Sequence, residues 1–150
     1  MFKFLVYIGF IMNFIAASAQ ERIQIQSDFS FEETSERLTQ TLGEKNIKIF
    51  AVIDHHAEAS TAGLTLLPTR LIIFGSPKVG TLLMQEQQSI GLDLPLKMLI
   101  TEDVHGRVWL TYIPVVQLQQ SYALSPSAVI ENIGKLQQLL AQKATKNNGL

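Results

Sequence analysis

The chain predicts an α/β fold: a two-layer sandwich in which a mixed β-sheet carries helices packed on one face. Three observations carry this. Short β-branched and aromatic runs alternate with longer segments of helical period. Two Ser-containing caps and a Pro open the helical segments. A Gly-closed hairpin joins two late strands.

The first residues stand apart from this domain. Lys3 supplies a positive start, Phe4 to Ala17 is an apolar run broken only by Asn13, and Ala17-Ser18-Ala19 precedes Gln20. That order is a secretory signal peptide over residues 1–19, and the run is shorter than the roughly 20 residues of a membrane span. Export to the periplasm or the outside is therefore expected, with no membrane attachment after cleavage. Removing Lys3 leaves about 130 residues, enough for one core. The domain is expected from Gln20 to Lys146, with a tail over residues 147–150.

The elements come in this order. Arg22 to Ser27 alternates apolar and polar residues, the period of a half-buried strand. Ser30 with Glu33 three positions on forms a capping box, and Thr34, Leu38 and Leu42 continue a helical face to Gly43 or Asn46. Ile47 to Ile53 predicts a strand ending at Asp54-His55-His56, and His55 to Gly63 a short helix or loop. Arg70 to Phe74 predicts the next strand. Pro77 suits the first turn of a helix that ends near Gly91. Leu96 to Thr101 and Arg107 to Ile113 are the hairpin arms, with Gly106 supplying positive φ and Pro114 ending the second arm. From Ser125-Pro126 a last helix carries Val129, Ile133, Leu136, Leu139 and Leu140 as its apolar stripe, and Ala144 to Leu150 reads as a frayed end.

Composition narrows the function. The chain has no Cys, which removes disulfides, thiolate metal sites and Cys nucleophiles together. A net charge of −1 without a basic stretch argues against nucleic acid as a partner. No Gly-x-Ser-x-Gly elbow supports Ser/His/Asp hydrolysis, and no Walker loop is present.

Several residues still carry chemical interest. Asp54 and His55 end a strand, and a carboxylate beside an imidazole could serve acid–base catalysis. Asp54 equally suits the N-cap of the next segment. Gly75-Ser76-Pro77-Lys78-Val79-Gly80-Thr81 joins a strand to a helix, where backbone N–H groups can hold an anion, although a plain turn explains it as well. Lys97, among apolar neighbours, could enter a cleft and pair with Glu102, or form part of a solvated hairpin face. The ligand-binding candidates are therefore Asp54, His55, Gly75, Ser76, Pro77, Gly80, Thr81, Lys97 and Glu102. His55, His56, Glu58, His105 and Met84 offer donor types that suit copper, but in no metal-binding spacing, and Met84 fits an apolar core better. No cofactor is assigned.

Residues 50–55 (Phe-Ala-Val-Ile-Asp-His), 68–84 (Pro-Thr-Arg-Leu-Ile-Ile-Phe-Gly-Ser-Pro-Lys-Val-Gly-Thr-Leu-Leu-Met) and 93–97 (Asp-Leu-Pro-Leu-Lys), with Glu102-Asp103, Trp109 and Tyr112, resemble the DUF302 domain family. The resemblance runs from about Ile23 to Ala144. It implies a compact two-layer α/β domain, often found as a homodimer, with no agreed catalytic residues. Ser76 stands where the family usually has Asn, and Thr101 where it usually has Trp, so a ligand site using either is altered here. The leading expectation is a module that binds a small ligand or a protein partner. The alternatives are a small enzyme using Asp54 and His55 and a His/Met metal-binding protein.

Overall fold

A computed structural model describes residues 21–147. The expected signal peptide lies outside them. The five strands are β1 (Ile23–Gln26), β2 (Lys48–Asp54), β3 (Thr69–Gly75), β4 (Leu96–Glu102) and β5 (Val108–Tyr112). The helices are α1 (Phe31–Glu44), α2 (His55–Thr61), α3 (Pro77–Glu86), α4 (Val115–Ser121) and α5 (Ala128–Thr145), with a 3-10 turn at Gln88–Leu92.

One sheet holds the strands in the order β1-β5-β4-β3-β2. The α/β sandwich stands as expected, but every pairing is antiparallel, which corrects the mixed sheet. A parallel neighbour needs a crossover helix laid back along a sheet face. The connectors here do not do that: α2 buries no residue and α3 buries only Leu83.

Strand alternation sorts the sheet into two faces. Ile72, Phe74, Met98, Ile100, Val108, Leu110 and Tyr112 point inward and are buried. α1 and α5 pack against one another over this face, with Leu38, Leu42, Leu140 and Ala141 buried between the layers. The other face carries Ile53, Leu71, Ile73, Leu99 and Trp109, all half-buried.

The local signals explain the boundaries. Ser30 Oγ accepts from the Glu33 N–H at 3.2 Å and opens α1. Ser127 Oγ accepts from the Ile130 N–H at 3.4 Å and opens α5. Gly106 has φ 72 in the hairpin turn, the left-handed region that glycine enters at least cost. The end of α5 does not fray at Ala144: Ala144 and Thr145 are both fully buried. The Asp28 N–H donates to Thr145 O at 2.8 Å, and Lys146 Nζ donates to Gln26 O at 3.0 Å. The first and last segments of the described chain are thereby tied together.

Helix α4 escapes the sequence signals because it is short and has no capping side chain of its own. Its cap comes from α5. Gln137, 1% exposed, accepts from the Val115 N–H through Oε1 at 2.8 Å and donates through Nε2 to Ile113 O at 2.9 Å.

Candidate functional site

The expected site residues divide between the two ends of the sheet. Asp54, His55 and Glu102 lie at one end; Gly75, Ser76, Pro77, Gly80, Thr81 and Lys97 lie at the other. Five strand positions separate Lys97 from Glu102, roughly 16 Å of extended chain. An odd separation also puts them on opposite faces of the sheet. A single cleft containing all these residues does not form, and Lys97 does not pair with Glu102. Lys97 Nζ instead donates to Asp93 O at 2.9 Å.

At the first end, Asp54 is the N-cap of α2. Its Oδ1 accepts from the Ala57 N–H at 3.0 Å. Arg70, its register partner on β3, donates to Asp54 Oδ2 through Nη2 at 2.8 Å and through Nε at 3.2 Å. The same guanidinium reaches Glu32 of α1 at 2.7 Å and 3.1 Å. The Ala57 N–H, and then Arg70, hold the Asp54 carboxyl below the ordinary carboxylate range. His55 is exposed, and Asp54 gives its oxygens to Ala57 and Arg70 rather than to that ring. Asp54, expected to pair with His55 for acid–base work, is thus a helix cap and an ion-pair anchor instead. His56 Nδ1 lies 2.6 Å from Leu66 O, which fixes the loop after α2. Among the described residues, no three of His, Asp and Glu converge as a metal site. Met84, the sulfur candidate, stands in the wall of an apolar cavity at the other end.

That cavity has a volume of about 470 Å³. Gly75, Ser76, Pro77, Gly80 and Thr81 all line it, so the strand-to-helix turn singled out in the sequence does border a concave site. Phe50 from β2, Phe74 from β3, Val79 and Leu83 from α3, Leu94 before β4 and Leu136 from α5 build most of the rest. Among the described residues, the only polar side chains in the wall are those of Ser76, Thr81 and Asn132, and none of the lining side chains is ionisable. Thr81 Oγ1 donates to Pro77 O at 2.7 Å. The Ser76 hydroxyl makes no capping bond to α3.

Phe50 reaches the cavity through an irregularity. The β2–β3 register shifts between Ile49 and Ala51, which makes Phe50 the extra residue of a bulge and leaves it 42% exposed. Bulges redirect side chains in this way. Neither Phe50 nor the α5 residues Val129, Ile133 and Leu136 are separable in sequence from ordinary core. The helical stripe of α5 is the one signal present, and it does not tell a packed wall from an open one.

A second locked feature lies in the β4–β5 turn. Asp103 Oδ1 accepts from the N–H groups of His105 and Arg107 at 2.9 Å and 3.0 Å. Its Oδ2 accepts from Arg107 Nε at 2.8 Å and Trp109 Nε1 at 3.1 Å. Desolvation opposes ionisation of this carboxyl, but the donors from Trp109, Arg107 and His105 outweigh it and hold the group well below its ordinary value.

A family model described as "Domain of unknown function DUF302" matches residues 23–142. The crystal structure of an uncharacterised conserved DUF302 protein from Bacillus stearothermophilus superposes with a TM-score of 0.68 at 17% identity, covering 84% of this chain and 97% of that one. Among curated relatives, "Fluoride-specific ion channel FluC 1" of Brucella suis biovar 1 (strain 1330) is 43% identical over 106 residues, 71% of this chain and 42% of the relative. "Fluoride-specific ion channel FluC 2" of Brucella melitensis biotype 1 is 43% identical over the same length and is covered to 39%. The chain thus spans about two-fifths of the length of these curated relatives. Among the described residues, no helix is long and apolar enough to cross a membrane.

Proposed function

The chain belongs to the DUF302 family, domains of unknown function, and from that premise we propose that it is an exported binding module whose cavity receives a small apolar molecule. The cavity carries the proposal: about 470 Å³ of concave space, walled by apolar side chains and a few hydroxyl and amide groups. Binding sites for small organic ligands have this size and this composition. Contiguous exposed apolar surface of this kind marks ligand or partner sites. Export is supported by the apolar run from Phe4 to Ala17 and the small residues after it. Pairing as a homodimer belongs to the same proposal and is supported by the half-buried apolar outer face of the sheet.

The test is thermal unfolding of the purified chain with a panel of uncharged apolar compounds. A ligand at 100 times its Kd adds about 2.7 kcal/mol to the folded state, a rise of several degrees in Tm. The proposal fails if no member of the panel raises Tm, or if Leu136→Trp, which fills the cavity, leaves the responses unchanged.

The channel relatives favour a second role for the same module, as a companion domain of a membrane ion channel. The 43% identity to proteins named as fluoride-specific channels is the observation behind it. Fluoride itself is not assigned to the cavity, because its wall offers no cationic side chain. Fluoride tolerance of cells with and without the chain tests this role; equal tolerance refutes it.

A further inference from the structure

We propose, resting on the binding role above, that the occupant is a single-chain aliphatic amphiphile with an uncharged hydrogen-bonding head. Its chain fills the cavity, and its head stays at the mouth beside Ser76 and Asn132.

Shape and size indicate a chain. Val129, Ile133 and Leu136 contribute to the wall from one face of α5. Seven residues of helix rise roughly 10 Å, so the wall runs at least that far along α5. The volume of about 470 Å³ holds roughly 15 groups of about 30 Å³ each. An alkyl chain of about ten to fourteen carbons plus a small head meets both measures.

The wall chemistry selects the head. Among the described residues, none of the lining side chains is a Lys, Arg or His that could pair with a carboxylate, sulfate or phosphate, and none is an acid that could pair with an amine. An ion held deep against this wall would lose hydration with no partner among the lining side chains. The ammonium beside the wall is Lys48, whose Nζ stands 4.7 Å from the Phe50 ring centroid, and the dodecanoate probe tests whether it holds a head group. What remains is the Ser76 hydroxyl, which makes no capping bond, the exposed carboxamide of Asn132, and the Thr81 hydroxyl, whose proton is given to Pro77 O. Ser76 and Asn132 both donate and accept, which suits an alcohol, ester or amide head.

Gly80 provides a clean block. A Cβ built there meets nothing closer than Leu94 Cδ1 at 3.9 Å. A larger side chain therefore projects toward the Leu94 wall of the cavity, and in a helix interior Leu is favoured over Gly. Gly80→Leu is expected to stay folded and to close the slot.

The experiment is calorimetric titration of the full chain with primary alcohols from octanol to hexadecanol, with dodecanoate at pH 8, and with naphthalene as a rigid aromatic probe. Affinity is expected to rise about fourfold per methylene, to level off near twelve to fourteen carbons, and to favour dodecanol over dodecanoate by at least about tenfold. Gly80→Leu should abolish this, and Ser76→Ala, a change at an exposed position, should weaken dodecanol several-fold. Dodecanoate binding as tightly as dodecanol overturns the uncharged head. If affinity does not depend on chain length while naphthalene binds and is blocked by Gly80→Leu, the aliphatic class is wrong and the apolar binding module survives. If no probe binds and both variants behave as the parent, both proposals fall.

Discussion

Replacing Gln137 by Leu tests how the C-terminal half of the fold is held. The side chain is 1% exposed and makes two bonds, from the Val115 N–H at 2.8 Å and to Ile113 O at 2.9 Å. Leucine fills nearly the same space and makes neither. Val115 is buried, so its N–H loses its partner without gaining water. An orphaned buried group costs about 1–3 kcal/mol. Ile113 is only half-buried, so its carbonyl belongs at the low end of that range. The added apolar burial returns part of the loss. The expected net destabilisation is about 2–3 kcal/mol, or roughly 10 °C in Tm for a domain of this size. Urea unfolding followed by circular dichroism measures it, with an unchanged slope showing that the unfolded state is the same. Gln137→Glu separates the two bonds. Its carboxylate still accepts from Val115 but presents an oxygen to Ile113 O, whereas the protonated acid restores the donor. The neutral form is therefore favoured in the folded state, and the folded pKa lies above the unfolded one. That variant's deficit should be small below the ordinary Glu range and grow as pH rises toward the folded pKa. A loss under about 0.5 kcal/mol for Gln137→Leu, within the span of neutral surface changes, would show that α4 is held by something else.

Three further outcomes are expected. In double-mutant cycles on Arg70, the coupling to Asp54 should reach about 1 kcal/mol, and the coupling to Glu32, equally close but with its side chain 65% exposed against 32%, should be smaller; equal couplings would show that exposure does not decide the strength of these pairs. Asp103 has a lowered folded pKa, so its contribution is present above the ordinary value of 3.8 and is lost as pH falls through the folded value. The stability gap between the parent and Asp103→Asn, measured by urea unfolding from pH 7 to pH 2, should stay flat down to about pH 5 and narrow below it; a gap that widens in acid refutes this. Gly106→Ala should destabilise by about 1 kcal/mol through backbone conformation alone, because a Cβ there meets nothing within 4 Å; a neutral result in thermal unfolding would place the turn in another conformation.

Much of the fold is legible because its signals are local. Ser30 caps α1, Pro77 opens α3 and Gly106 closes the hairpin, and each acts within a few residues. Strand direction is not local. It depends on where α2 and α3 lie relative to the sheet, and that is a packing result. The cavity is also beyond local reading, because α5 and a bulge at Phe50 complete it from segments far from the Gly75-to-Thr81 turn. Asp54 illustrates the same limit. Its capping role is readable in sequence, whereas Arg70 becomes its partner only through the β2–β3 register. The separation of Lys97 from Glu102 is readable from sequence alone, since five positions along one strand place two side chains on opposite faces.

The tie between the two ends of the described chain has a consequence for the order of folding. Strands β2 to β5 each pair with the next one made, so this meander can assemble as the chain lengthens. Segment β1–α1 is made first, yet it finds its partners last. Asp28 bonds to Asn147, 119 positions away, and α1 has no helix to pack against until α5 exists. The N-terminal strand therefore waits unpaired through most of synthesis. Because the two ends finish side by side, a short linker could join them and new ends could open at the exposed Gly63 turn. Such a permuted chain would keep the same fold while making β1–α1 directly after its partner α5.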